Sequence, residues 1–127
     1  MTHKHAGRRV LVVDDDPAIV SLVEAALTAV DMAVVTATGV DAAWAAFAAD
    51  GPFDAVLVDR SLRGRDGQEL ADRFCAAGQP AARVMLMSGF HNEPSGYGLL
   101  AKPFSLAALV AAVEHLLREP MAAPPDY

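Results

Sequence analysis

VLVVDDDP, residues 10–17, runs an unbroken apolar stretch into three aspartates and a proline. An apolar run that does not alternate with polar residues is how a strand reads when both faces of its sheet are covered, as in a parallel sheet. Asp16 followed by Pro17 marks a helix start, with a carboxylate at the N-cap and proline at the first helical position. The stretch is a strand, a tight turn and a helix entry, and Asp14 and Asp15 fall in the turn.

Outward from this stretch the same unit recurs. Further apolar runs occupy Met32–Val35, Ala55–Val58, Val84–Met87 and Leu99–Ala101. Helical spacing fills the intervals: Ile19, Val23, Leu27 and Val30, then Val40, Trp44 and Phe47, then Leu70 and Phe74. The clearest stripe is the last, Leu106, Leu109, Val110, Val113, Leu116 and Leu117, with Ser105 as its N-cap. Strands alternating with helices predict an α/β chain around a parallel sheet with right-handed crossovers. The commonest such arrangement at this length is the flavodoxin-like doubly wound five-stranded sheet, in the order 2-1-3-4-5. One interval departs from the pattern. Residues 88–98 include Gly89, Pro94, Gly96 and Gly98, poor material for a helix. The interval is also near the lower limit of about 10–12 residues for a crossover with its helix. The fourth helix is therefore expected to be reduced or absent.

Bulk properties narrow the function. The 127 residues suit one domain, and 54% apolar with 20% charged residues is an ordinary globular composition. A net charge of −6 argues against direct nucleic-acid binding and against an anionic membrane surface. Cys75 is the only cysteine, which excludes an internal disulfide and suits a cytoplasmic setting. It reads as a small apolar helix residue. No apolar run approaches the ~20 residues that span a bilayer, and the start, MTHKHAGRR, lacks the apolar stretch of a signal peptide. His3, His5, His91 and His115 share no metal-binding spacing.

The polar residues that follow the strands carry the chemistry. Asp14 and Asp15 follow VLVV, Asp59 follows AVLV, Ser88 follows VMLM and Lys102 follows LLA. Ligands of open parallel sheets bind outside the carboxyl ends of the strands, so these groups converge on one edge. Carboxylates held together repel, by about 4 kcal/mol for two unit charges ~4 Å apart at an effective dielectric of 20. An all-oxygen cluster of this kind suits Mg2+. Such an ion would also neutralise an incoming phosphoryl group, for which Lys102 and the Ser88 hydroxyl are natural partners.

With VLVVDDDP, the strings LVDRSLRGRDG and LLAKPF and the pair Met87–Ser88 follow one another in the order seen in response-regulator receiver domains of two-component, CheY-like signalling. The chain resembles that family from about Arg9 to Glu119, as a variant with a short or missing fourth helix. The resemblance implies that Asp59 is the phosphoacceptor, that Asp14, Asp15 and Asp59 hold Mg2+ with the backbone carbonyl of Ser61, and that Ser88 and Lys102 engage the phosphoryl group. It also implies a cis Lys102–Pro103 peptide. Gly89 is read either as room for a donor phosphate or as a turn glycine. Residues 1–8 are expected to be a flexible N-terminus, 9–119 the receiver domain and 120–127 a flexible, proline-rich tail. The implied donor is a histidine kinase or phosphotransfer protein, and the implied role is a signalling switch in a phosphorelay rather than an enzyme. Alternatives are a relay or sink module of a hybrid histidine kinase and a Mg2+-dependent aspartyl-phosphate phosphatase. The phosphatase reading lacks a second acid two residues after Asp59, where Ser61 stands.

Three departures from the family pattern stand out. Leu62 and Arg63 replace the frequent Met-Pro, Arg60, Arg63 and Arg65 make that loop basic, and Leu99 occupies a position that often carries an aromatic. Tyr97 lies two residues before it. The short connection is expected to switch by ordering a loop rather than by shifting a formed helix.

Overall fold

The computed structural model describes residues 5–89 and 95–118. In chain order the elements are β1 (Arg9–Val13), α1 (Pro17–Thr28), β2 (Ala33–Ala37), α2 (Val40–Asp50), β3 (Ala55–Asp59), a hairpin of β4 (Ser61–Leu62) and β5 (Arg65–Asp66), α3 (Gly67–Ala76), β6 (Val84–Ser88), β7 (Gly98–Ala101) and α4 (Leu106–Arg118). The main sheet is parallel, in the order β2-β1-β3-β6-β7. Because β4 and β5 form a separate small sheet, this is the doubly wound order 2-1-3-4-5 of the main strands.

Alternation along each strand divides the core in two. Val10 and Val12 of β1, Ala55 and Leu57 of β3, and Met85 and Met87 of β6 pack with Val23 and Leu27 of α1 and Leu109, Val113, Leu116 and Leu117 of α4. Leu11 and Val13, Val56 and Val58, and Val84 and Leu86 pack on the opposite face with Phe47 of α2 and Leu70 and Phe74 of α3. That second face holds a ring stack, with Phe47 4.6 Å and Trp44 5.7 Å from Phe74 between centroids. Period-two side-chain direction in a strand between two helix layers requires apolar residues at every position.

The edge strands differ from the expectation of burial on both faces. β2 and β7 each have one neighbour, and Leu99 is 38% exposed. The helix stripes are also shorter than the spacing suggested. Leu106 stays exposed at the start of α4. Val30 lies beyond α1, where Asp31, at φ 70°, turns the chain toward β2. His5 departs from a flexible start: it is buried, with Nε2 2.8 Å from Glu114 Oε2 of α4.

Between β6 and β7 the described residues, Gly89 and 95–97, are not helical. The expectation of a mobile loop falls mainly on residues 90–94, which lie outside the described residues, as do 1–4 and 119–127. From 95 onward α3 takes the connection. Gln68 Nε2 donates to the Ser95 carbonyl at 3.3 Å, and Tyr97 Oη donates to Asp72 Oδ1 at 2.5 Å. Burial first, and then the bond to Asp72, hold the Tyr97 phenol well above its ordinary 10.0.

The start of α3 is pressed against the end of β3. Gly67 N donates to the Arg60 carbonyl at 2.8 Å, and a Cβ at Gly67 would sit 1.9 Å from the Asp59 carbonyl oxygen. No side chain fits without moving backbone. Gly67→Ala should therefore cost about 3 kcal/mol, at the upper end of overpacking penalties. Urea unfolding checks this; a midpoint equal to wild type would show that α3 shifts freely.

Candidate functional site

The site is built at the carboxyl ends of β1, β3, β6 and β7. Asp14 follows β1 and is fully buried, and its Oδ1 accepts the Asp16 N–H at 2.9 Å. Asp16 is turned away into the helix cap, where Oδ1 accepts the Ala18 N–H at 2.9 Å. Helix capping therefore takes one aspartate of the three and leaves Asp14 and Asp15 at the sheet edge. Asp59 ends β3, 7% exposed, and its Oδ1 accepts the Ser61 N–H at 3.2 Å. Oxygens of Asp14, Asp15 and Asp59 all lie within 4.8 Å of one another.

Lys102 closes the other side. Its Nζ stands 2.7 Å from Asp14 Oδ2 and 3.3 Å from Asp59 Oδ2. The main chain sets this reach, since Lys102 N donates to the Ser88 carbonyl at 2.8 Å where β7 leaves the sheet beside β6. The Lys102–Pro103 peptide is cis. Ser88 is buried at the same sheet end, one residue past Met87, which pairs in register with Asp59. Sequence reasoning thus named side chains that the fold brings to one edge.

Electrostatics follow the geometry. Burial raises the Asp59 carboxyl above its ordinary 3.8, reinforced by the Asp14 charge and opposed by the Ser61 N–H and by Lys102. Burial alone would lower the Lys102 ammonium. The hydrogen bond to Asp14 and the charges of both aspartates outweigh it, and the net shift is upward from 10.5.

The donor set fits Mg2+. Three carboxylates in one cluster are oxygen ligands for a hard cation that takes few protein groups. Ser61 sits beside them in β4, where its main chain is fixed by pairing with Asp66.

The hairpin is the feature that sequence reasoning missed. Arg63 and Gly64 form a two-residue turn with φ 50° and 81°, and Leu62 is buried under it in the α2–α3 core. Positive φ at both turn positions is the geometry that joins two antiparallel strands most tightly. Gly64 was the signal in the sequence, but Arg in place of the usual Asn or Asp at the first turn position concealed it. The three arginines are not alike: Arg63 Nε faces Asp15 Oδ2 at 3.8 Å, Arg60 Nη2 donates to Gln68 Oε1 at 3.2 Å, and Arg65 is exposed on β5.

Comparison with known proteins agrees with this geometry. Residues 10–114 match the response regulator receiver domain family. The chain is 30% identical, over 92% of its length, to the DNA-binding transcriptional regulator NtrC of Azospirillum brasilense, and 33% identical, over 94%, to the transcriptional regulatory protein TcrA of Mycobacterium tuberculosis. It spans 26% and 50% of those relatives. In structure it resembles the receiver domain of NtrX from Brucella abortus, with TM-score 0.77, 30% identity and coverage of 87% of this chain and 99% of that one. It also shares the fold of the chemotaxis protein CheY4 of Vibrio cholerae, with TM-score 0.78 and 23% identity over 88% of this chain and all of that one. Among the described residues, no helix is long and apolar enough to cross a membrane.

The raised Asp59 carboxyl has a consequence for stability. A carboxyl held above its unfolded value destabilises the fold when ionised, and that penalty fades as pH falls through the folded value. Without divalent cation, Asp59→Asn should raise the thermal midpoint at pH 7, and the gain should shrink as pH is lowered toward 4. Added Mg2+ should stabilise wild type more than the variant, since binding to the folded state adds stability. Calorimetry across pH checks both; a variant less stable than wild type at pH 7 would contradict the first.

Proposed function

The chain belongs to the response regulator receiver domain family, and on that premise we propose that Asp59 accepts a phosphoryl group from a histidine kinase or phosphotransfer protein, beside a Mg2+ ion held by Asp14, Asp15, Asp59 and the Ser61 carbonyl. The observation that carries this reading is the cluster itself, three carboxylates within 4.8 Å with an ammonium 3.3 Å from Asp59. A carboxylate oxygen of Asp59 attacks phosphorus, the bond from phosphorus to the donor breaks, and the donor leaves with the electron pair. The product is an acyl phosphate. When bound, Mg2+ supplies positive charge that offsets repulsion between the donor anion and the acids. Lys102 pairs with a phosphoryl oxygen through a charge-assisted bond, and the Ser88 hydroxyl donates to another. Burial of Ser88 keeps water from competing for its contact.

The role is that of a switch in a phosphorelay, in the cytoplasm, with the phosphoryl group changing what the surface binds. The route to that surface runs through the connection after Ser88. Ser88 begins it, and α3 holds its return through Gln68 and Asp72. Engagement of Ser88 by the phosphoryl group acts on the start of this connection, and Leu99 has no ring to carry a separate signal.

Incubation with acetyl phosphate and Mg2+ should add the mass of one phosphoryl group, and Asp59→Asn or excess chelator should abolish it. An equal shift in the Asn variant would assign the phosphoryl group elsewhere. Hydrogen exchange then reads the switch. Amides of 95–98 should change protection on phosphorylation, and Tyr97→Phe should speed their exchange in the unmodified protein. Identical exchange in all three samples would exclude this connection as the route.

A further inference from the structure

The hairpin tip places the Arg63 guanidinium beside Asp15, one of the three acids. Arg63 is one of two described non-glycine residues with positive φ, at 50°. Such a conformation is uncommon for a residue other than Gly, Asn or Asp, and it persists where the surroundings hold it. Here the hold is visible. Leu62 on one side is buried at 2% exposure, Ser61 pairs with Asp66 and Leu62 with Arg65, and Gly64 completes the turn at φ 81°. The turn carries the Arg63 side chain outward, 78% exposed, yet brings its Nε to 3.8 Å from Asp15 Oδ2.

The other two acids have a different counter-charge. Lys102 lies against Asp14 and Asp59. Arg63 thus faces the third carboxylate, from an exposed hairpin rather than from the sheet. We propose that Arg63 is a tethered counter-ion of the metal-free site, which competes with Mg2+ for Asp15 and so sets the affinity for the ion. This rests on the reading of Asp14, Asp15 and Asp59 as the Mg2+ site. An arriving divalent cation must share Asp15 with the guanidinium or displace it, and the two like charges then repel. Removal of Arg63 should tighten Mg2+ binding. Because the pair is exposed, its contribution is screened and small, so the change is several-fold and disappears in high salt.

Titration calorimetry of Mg2+ into the whole chain tests this without any phosphodonor. The variants are Arg63→Asn, whose side chain tolerates positive φ and leaves the turn intact, Arg63→Lys, which keeps the charge, and Arg65→Asn, which removes an equal charge from the next strand. At low ionic strength Arg63→Asn should bind Mg2+ about two- to five-fold more tightly than wild type. Arg63→Lys should stay near wild type, Arg65→Asn should change by less than half the Arg63→Asn factor, and the differences should close at about 1 M salt. A thermal melt confirms that each variant is folded. Unchanged or weaker affinity in Arg63→Asn overturns the proposal, and so does an equal gain in Arg65→Asn, which would reduce the effect to general charge. Phosphoryl mass shifts on the same samples separate the two readings. A normal Asp59 shift with unchanged Mg2+ affinity in Arg63→Asn removes the counter-ion role alone, whereas loss of Mg2+ binding in wild type and variants removes both.

Discussion

The mutual repulsion of Asp14, Asp15 and Asp59 is the constraint around which the carboxyl edge of this sheet is arranged. Their oxygens lie within 4.8 Å of one another in a setting where Asp14 is wholly buried. Charges that close at the boundary of an apolar core cost several kcal/mol unless they are countered. Lys102 counters two of them at 2.7 and 3.3 Å, the Ser61 N–H a third lone pair at 3.2 Å, and Arg63 stands off Asp15 at 3.8 Å. Burial holds the Asp59 carboxyl above its ordinary value, and the Asp14 charge adds to this. Three carboxylates against two cationic side chains leave this edge short of positive charge.

Holding such a cluster requires a scaffold that does not relax it away. The central strands β1, β3 and β6 are apolar on both faces and covered by α1 and α4 on one side and α2 and α3 on the other. That packing fixes where each strand ends, and the ends are where the acids sit. Close approach adds to this. Gly67 lets α3 begin directly against the Asp59 carbonyl, and the hairpin ahead of it, anchored by Leu62, sets the direction of Ser61 and Arg63. α3 also receives the returning chain at Ser95 and Tyr97. One short helix therefore touches the end of β3 at its start and the returning chain along its length.

Much of this was legible in the chain. Continuous apolar runs located the sheet because strands covered on both sides have no polar face, and Asp16–Pro17 located α1 because a carboxylate cap and a fixed φ favour a helix start. The same reading overstated burial in β2, β7 and at Leu106, since one-dimensional hydrophobicity does not reveal which strands lie at an edge or where a helix outruns its sheet. It also joined Val30 to α1, although Asp31 ends that path by a left-handed turn.

The sequence by itself determined the order of elements, the doubly wound sheet and the identity of the polar residues at its carboxyl edge, because those follow from local periodicity and from strand ends. Only the tertiary structure decided which of those groups meet and how they are charged. That Lys102 reaches both Asp14 and Asp59, that Arg63 turns back over Asp15, and that Gln68 and Asp72 catch the chain at Ser95 and Tyr97 depend on contacts between segments far apart in the chain. Such contacts leave no periodic trace. Their strength is set by burial and distance, which exist only once the sheet has closed around them.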